Sequence, residues 1–213
     1  VRASILPNKP PLGTGLAIGH PLTRGLIGRF LFNEGNGTRL NNLARGAGSS
    51  ATSFNGAFLA NMDPATDWIS TDRGPALAFD GVNDYAQASF LDLDIEGKRG
   101  ISPGGSLTIS VWFRTSTAQT LKYIFMTARN TLLATGIYFS SPTQIGCDVQ
   151  GDATGTLTST QTYSDGRWHC AVQTYDGNAT GADITHRLYY DGRLVASASS
   201  PETAVNTNDR IFY

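Results

Sequence analysis

Apolar and polar positions alternate along much of the chain, and the period is two. Leu107, Ile109, Val111 and Phe113 share one parity, and Thr108, Ser110, Trp112 and Arg114 share the other. Such a run predicts a half-buried strand with its aliphatic face inward. Lys122–Thr127, Gly136–Ser141 and Gln144–Gln150 read as three further strands, the last two joined by a Ser-Pro turn. Thr156–Thr162 is polar and Thr-rich and reads as an edge or outer strand. Arg167–Tyr175, His186–Tyr190 and Arg193–Ser199 follow, punctuated by Asp176–Gly177 and Asp191–Gly192. An Asp-Gly pair between β-rich runs predicts a type I′ hairpin turn, because Gly supplies positive φ without strain.

Earlier in the chain the pattern is less regular. Gly25–Phe32 reads as a first strand ended by the turn residues of NEGNGT. Ala76–Ser89 reads as a hairpin, with ALAFD entering, GVND turning and YAQAS returning. Between them, Arg39–Gly74 reads as a long decorated loop, in which Asp63 caps one helical turn begun by Pro64. Residues 1–24 hold Pro7, Pro10, Pro11 and Pro21 with Gly13, Gly15 and Gly19, so no regular element should run through them. Ile5, Leu6, Leu12, Leu16, Ile18 and Leu22 are nonetheless apolar. This predicts an extended N-terminal arm lying on a neighbouring subunit or on its own domain.

Composition narrows the class. With 40% hydrophobic and 15% charged residues, the 213-residue chain can bury one core, and a single all-β sandwich or barrel is expected. A net charge of −1 gives no reason to expect nucleic acid or an anionic membrane as partner. No apolar run approaches the roughly 18 residues of a membrane span.

Four motifs resemble one family in order and spacing. LAFDGVNDY (Leu77–Tyr85), SLTISVWFRT (Ser106–Thr115), WHCAVQTYDG (Trp168–Gly177) and RLYYDGRLVAS (Arg187–Ser197) are similar to segments of laminin-G-like, concanavalin-A-like jelly-roll domains. The opening run PLTRGLIGRFLFNEGNG resembles members from tailed phages and environmental bacteria. The resemblance implies an antiparallel β-sandwich of two sheets over residues 25–213. Relatives continue past the DRIFY run that ends here, so either the sandwich is short of its last strands or the chain is cut. The family ranges from glycan binding to purely structural roles, so fold alone does not fix function.

The candidate chemistry is sparse. Trp112, on the polar face of its strand, is either covered by a loop or a sugar platform. His169, Gln173 and Tyr175 share a parity and form either a polar ligand-facing stripe or buried groups bonded to a neighbouring strand. Asp80, Asn83 and Asp84 crowd one turn. They serve either turn hydrogen bonding or a Ca²⁺ ion, which wants 6–8 oxygens and which laminin-G-like relatives often bind at a sandwich edge. Asp92, Asp94 and Glu96 alternate, resembling the catalytic carboxylate strand of concanavalin-A-like β-glucanases, but Asp stands where that pattern has its first Glu. A solvated edge, not catalysis, is expected there.

Cys147 and Cys170 sit among apolar residues at period two and read as buried thiols, with a disulfide as the alternative. His20, His169 and His186 form no Ser/His/Asp or metal pattern. Asn36-Gly37-Thr38 and Asn178-Ala179-Thr180 match the glycosylation triplet. No catalytic residues are therefore expected. The chain reads as a non-catalytic structural or attachment module on a virion or in the extracellular space, held to other subunits by its arm. The alternative is a carbohydrate-binding module of a secreted protein.

Overall fold

The computed structural model describes residues 9–10, 17, 19–23, 26, 28–44, 56–89, 106–129, 132–149, 156–176, 186–199 and 211–212. By internal packing the chain forms two compact units, Val1–Leu93 and Asp94–Tyr213. The first contains β1 (Arg39–Asn41), β2 (Gly56–Ala60), β3 (Trp68–Thr71), β4 (Gly74–Leu77) and β5 (Tyr85–Ser89), with one 3₁₀ turn at Pro21–Thr23. β2 pairs antiparallel with both β1 and β5, while β3 and β4 form their own hairpin. Leu40, Ala44 and Ala76 are its buried apolar residues.

Two expectations fail in this unit. Described residues 28–32 form no strand, because Phe32 sits in the left-handed region at φ 53°. Ladder-like bonds still tie Arg29 to the following segment: Leu43 N donates to Arg29 O, and Arg29 N donates to Asn42 Oδ1, each at 2.9 Å. Nor is 76–89 a hairpin. Of ALAFD, Ala76 and Leu77 end β4 and pair with Ile69 and Trp68, whereas YAQAS is β5 and pairs with Phe58–Ala60 of β2. The loop at 61–67 does make one capped turn: Ala65 N donates to Asp63 Oδ1 at 2.9 Å, and Asp67 N donates to Asp63 O at 2.9 Å.

Of the arm, Lys9 and Pro10 are placed against this unit. Lys9 Nζ donates to Phe32 O at 2.9 Å and to Pro75 O, and Asn33 Nδ2 donates to Pro10 O at 2.8 Å. Burial lowers the Lys9 pKa, partly opposed by the nearby Glu34 charge.

The second unit is the sandwich. It contains β6 (Ser106–Arg114), β7 (Lys122–Arg129), β8 (Leu132–Ser141), β9 (Gln144–Val149), β10 (Thr156–Thr160), β11 (Trp168–Asp176), β12 (His186–Tyr190), β13 (Arg193–Ala198) and β14 (Ile211–Phe212). One sheet runs β13-β12-β11-β6, and the other runs β14-β7-β8-β9-β10, all antiparallel. The Thr-rich strand therefore lies at an edge, as its composition implies. Asp191 and Gly192 take φ 48° and 79°, the paired positive values of the predicted tight turn between β12 and β13.

The two sheets meet through their inward side chains. Ile109, Phe113, Ala171, Leu188 and Tyr190 come from one, and Ile137, Phe139, Ile145, Cys147 and Leu157 from the other. Phe113 meets Phe139 edge-on at 5.3 Å, and Phe139 stacks on Tyr163 at 4.5 Å. Tyr163 closes this end of the core. Its hydroxyl lies 2.8 Å from the carbonyls of Gln119 and Ser141 and 3.0 Å from the Gln119 N–H that it accepts. The aliphatic parity of β6 faces inward as expected, with Leu107 and Val111 partly buried against the same cluster.

Leu188→Ala is expected to cost about 2–5 kcal/mol in urea unfolding, because it empties a fully buried site between the sheets. Leu194→Ala, at a half-exposed position, should stay within about 0.5 kcal/mol. Equal losses for the two would contradict the assignment of faces.

Candidate functional site

β11 alternates strictly, and its buried parity is His169, Ala171, Gln173 and Tyr175. Gln173 is fully buried, and Tyr175 is 6% exposed. The expected ligand-facing stripe therefore points into the sandwich. Its members are the buried groups of the alternative reading, each bonded or packed within. Trp112 lies on the opposite face of the same sheet, so the three predicted ligand residues do not share a surface. Cys170 pairs across the strands with Trp112 on that outer face and is only partly buried. It is not a core thiol. Cys147 faces inward from the other sheet, and both cysteines are free.

The inner polar cluster is well defined. Gln173 Nε2 lies 2.8 Å from Asp148 O, 2.9 Å from Thr135 Oγ1 and 3.0 Å from His186 Nε2. A carbonyl oxygen only accepts, so the contact with Asp148 O fixes which end of the amide is nitrogen. The two N–H bonds of that amide are shared among the three acceptors, and Cys147 Sγ lies 3.3 Å from the same His186 Nε2. Burial pushes the Cys147 thiol pKa far up, with the Asp148 charge adding to it. A thiol beside an imidazole is the usual pairing for a nucleophile, but a working nucleophile is a thiolate that a substrate can reach. Here both side chains are sealed from solvent, and the thiol holds its proton. The cluster is structural.

His169 is held at the other end of β11. Its Nδ1 lies 2.8 Å from Asp191 Oδ2 and its Nε2 lies 3.0 Å from Asp165 Oδ1. The ring stacks on Tyr190 at 5.0 Å. Asp165 is also held by the Arg167 amide, the larger reason that its carboxyl lies below the usual range; His169 is the second. The clamp ties the 164–167 turn to the β12–β13 hairpin.

The outer face of the five-stranded sheet carries a group that the sequence reading did not single out. Tyr123 pairs across strands with Tyr138, Tyr138 with Gly146, and Gly136 with Asp148. The two tyrosine rings are 5.1 Å apart with 43° between their planes. A Cβ at Gly136 would come within 3.0 Å of the Tyr123 ring, and one at Gly146 within 3.0 Å of the Tyr138 ring. The glycines let each ring lie flat against the sheet. Asp148 sits beside them. Tyr123 OH donates to its Oδ2 at a long 3.4 Å, and its Oδ1 is buried without a partner. Burial pushes the Asp148 carboxyl up to about 6, against the opposing bonds from Tyr123 and the Gly136 amide. Tyr123 in turn is pushed up to about 12, by burial first and then by the Asp148 charge. Among the described residues no cation pairs with Asp148. Gly-x-Tyr before a two-residue turn and Gly-x-Asp after it were the available signal.

Trp112 is 49% exposed. Around it on the outer face of the four-stranded sheet run Ser110, Val172, Tyr189 and Leu194 in one cross-strand row, and Arg114 over the Trp168 ring at 5.4 Å. Thr108, Thr174 and Arg187 continue this face in the next cross-strand row, so it mixes polar and apolar side chains.

The turn at 80–84 is closed on itself. Asp80 Oδ1 accepts from Val82 N at 2.7 Å and Asn83 N at 3.2 Å, and Asp84 Oδ2 accepts from Asp80 N at 2.9 Å. Asn83 O accepts from Asn61 Nδ2 at 3.0 Å. Amide N–H groups thus surround the oxygens that a calcium ion would need, and the residues as arranged do not fit one. Among the described residues no group of three or more His, Cys, Asp or Glu side chains is placed to hold a metal. Asp92, Asp94, Glu96 and the second glycosylation triplet lie outside the described residues.

With this geometry in place, comparison adds one positive result. A family described as the Concanavalin A-like lectin/glucanases superfamily (Laminin_G_3) matches residues 80–213. The match does not extend to the opening run 21–37. Among curated proteins none matches.

Asp148 loses its proton near pH 3.8 when unfolded and near 6 when folded, so stability falls as pH rises through that window and stays lower above it. Asp148→Asn should therefore melt higher than the parent at pH 7.5, at about 2–4 °C per kcal/mol gained, with the gap closing near pH 4. A variant that melts lower at pH 7.5 would contradict this. At the 80–84 turn, Asp80→Ala should destabilise by about 0.5–2 kcal/mol, the scale of a lost backbone cap. The loss should be the same in EDTA and in millimolar CaCl₂. A calcium-dependent melting shift in the parent protein would restore the metal reading.

Proposed function

The chain belongs to the concanavalin A-like lectin/glucanases superfamily, and on that premise we propose a non-catalytic binding module that holds carbohydrate on the outer face of its five-stranded sheet. The observation that carries this reading is the Tyr123–Tyr138 pair. Its ring centroids are 5.1 Å apart; Tyr123 is 41% exposed and open to a ligand, while Tyr138, 7% exposed, supports it. Sugar rings present axial C–H faces to aromatic planes and hydroxyls to carboxylates. Tyr123 supplies the plane, and Asp148 supplies the acceptor. Trp112 offers a larger ring on the outer face of the other sheet. A sugar ligand of this kind suits a module that works outside the cell or on a particle surface.

The superfamily also contains glycosidases, and a carboxyl raised to about 6 is what a general acid needs. Glycoside hydrolysis takes two carboxyls, about 5–9.5 Å apart. No second carboxylate acts on Asp148 among the described residues. Its neighbours are the two tyrosines and Cys147, which argues for binding without turnover. The narrower reading, a virion decoration or surface protein held to other subunits by residues 1–24, gains nothing from the described part of the arm. Lys9 and Pro10 are bonded within their own unit.

A glycan array should give carbohydrate hits that Tyr123→Ala abolishes and Trp112→Ala leaves intact, with bound oligosaccharides recovered uncleaved. The reverse dependence would move the platform to the Trp112 face. Cleavage would make the domain an enzyme. An array without hits would remove the sugar reading.

A further inference from the structure

We infer that the Tyr123–Asp148 platform selects an amino sugar with a free, protonated amine over the N-acetylated or hydroxylated form of the same sugar. The inference deepens the carbohydrate-binding reading and rests on it.

Asp148 Oδ1 is buried without a hydrogen-bond partner, Tyr123 reaches its Oδ2 only at a long 3.4 Å, and the other groups that favour its charge are backbone amides, Gly136 and its own. A carboxylate so placed costs stability whenever it is ionised. The same chain shows what satisfied carboxylates look like. Asp191 Oδ1 accepts from Cys170 N at 2.9 Å, and its Oδ2 lies 2.8 Å from the His169 ring. Asp148 has no cationic partner among the described residues, so its charge stands uncompensated beside the exposed Tyr123 ring.

The walls of the site define that partner. Both flanking rings are tyrosines, whose π faces attract cations, and the charge beneath them is negative. The titratable groups facing Asp148 are Tyr123 from β7, Tyr138 from β8 and Cys147 on its own strand. The tyrosines and the thiol all have raised pKa values, so all three are neutral near pH 7. From β10, the residue paired with Asp148 is the uncharged Thr156. Nothing in this set supplies a positive charge. An ammonium over the exposed Tyr123 ring is attracted by ring and carboxylate together. A hydroxyl gains only a hydrogen bond, and an acetamide adds bulk without charge. The field of Asp148 acts through the rings, so the amine need not reach the sealed Oδ1.

The test is calorimetric titration of the full chain with three tetramers of matched backbone: glucosamine, N-acetylglucosamine and cellotetraose. At pH 6.8 the glucosamine tetramer should bind about tenfold more tightly than the other two, the margin of a charge-assisted contact over a neutral one. Asp148→Asn should remove that margin, and so should lowering the pH to 4.5, where the amine stays charged and Asp148 does not. Asp72→Asn, an exposed carboxylate in the first unit, should leave the margin unchanged. Equal binding of the three tetramers at pH 6.8 would overturn the charge preference and leave the sugar reading standing. So would failure of all three when the array identifies another neutral sugar. Tetralysine binding as tightly as the glucosamine tetramer, and through Asp148, would overturn the choice of a sugar amine. No carbohydrate binding of any kind would remove both readings together.

Discussion

The register between β6 and β11 is the constraint on which the sandwich depends. Leu107, Ile109, Val111 and Phe113 stand directly opposite Tyr175, Gln173, Ala171 and His169. Residues directly opposite in an antiparallel pair project to the same face, so the aliphatic face of β6 fixes the inward face of β11. A slip of one residue would bring Trp168, Cys170 and Val172 inside and expel Gln173 and His169 to solvent. The neighbouring pairs then follow. β12 is set against β11 with Leu188 opposite Gln173 and Tyr190 opposite Ala171, and the second sheet closes on the apolar surface that results.

That register places polar groups where water cannot reach them, and the sandwich meets the cost unevenly. The Gln173 amide nitrogen lies within bonding distance of Asp148 O, Thr135 Oγ1 and His186 Nε2 and shares its two N–H bonds among them, which locks β11 in one sheet to β8 and β9 in the other. Its own Oε1 is left without a partner among the described residues. His169 is held by two carboxylates from two separate turns. Buried polar networks of this kind define one arrangement of the strands better than apolar packing alone. Asp148 is the exception. Its backbone carbonyl anchors the inner cluster, while its side chain sits on the outer face with one oxygen unsatisfied. One residue thus links the structural interior to the surface on which ligand binding is proposed.

The family architecture was legible because its signals are local. Alternation along Leu107–Phe113, the Asp191–Gly192 turn and the order of four motifs each depend on residues close together in the chain, and β6, β12 and the tight hairpin appear where those signals put them. The first unit was harder to read. Phe32 adopts positive φ, and the two halves of 76–89 pair with strands that lie earlier in the sequence, so local alternation could not reveal the partners. The candidate site was mostly illegible for a related reason. Trp168, Cys170 and Val172 look more apolar than His169, Gln173 and Tyr175, so hydrophobicity alone turns β11 the wrong way round. The polar side chains are inside because partners from other strands wait for them there.

By itself, then, the sequence determined an all-β chain, the two sheets implied by its motifs, the inward face of β6 and the turn that joins β12 to β13. Each of these is decided by φ preference or by period-two burial within a few residues. Tertiary structure alone decided which face of β11 is buried, that Cys147 and Cys170 lie on different surfaces, and that Tyr123, Tyr138 and Asp148 meet over two glycines. Those outcomes depend on which strands become neighbours. Pairing between strands distant in sequence is selected by the summed burial and hydrogen bonding of the whole sandwich, a quantity that no single stretch of the chain contains.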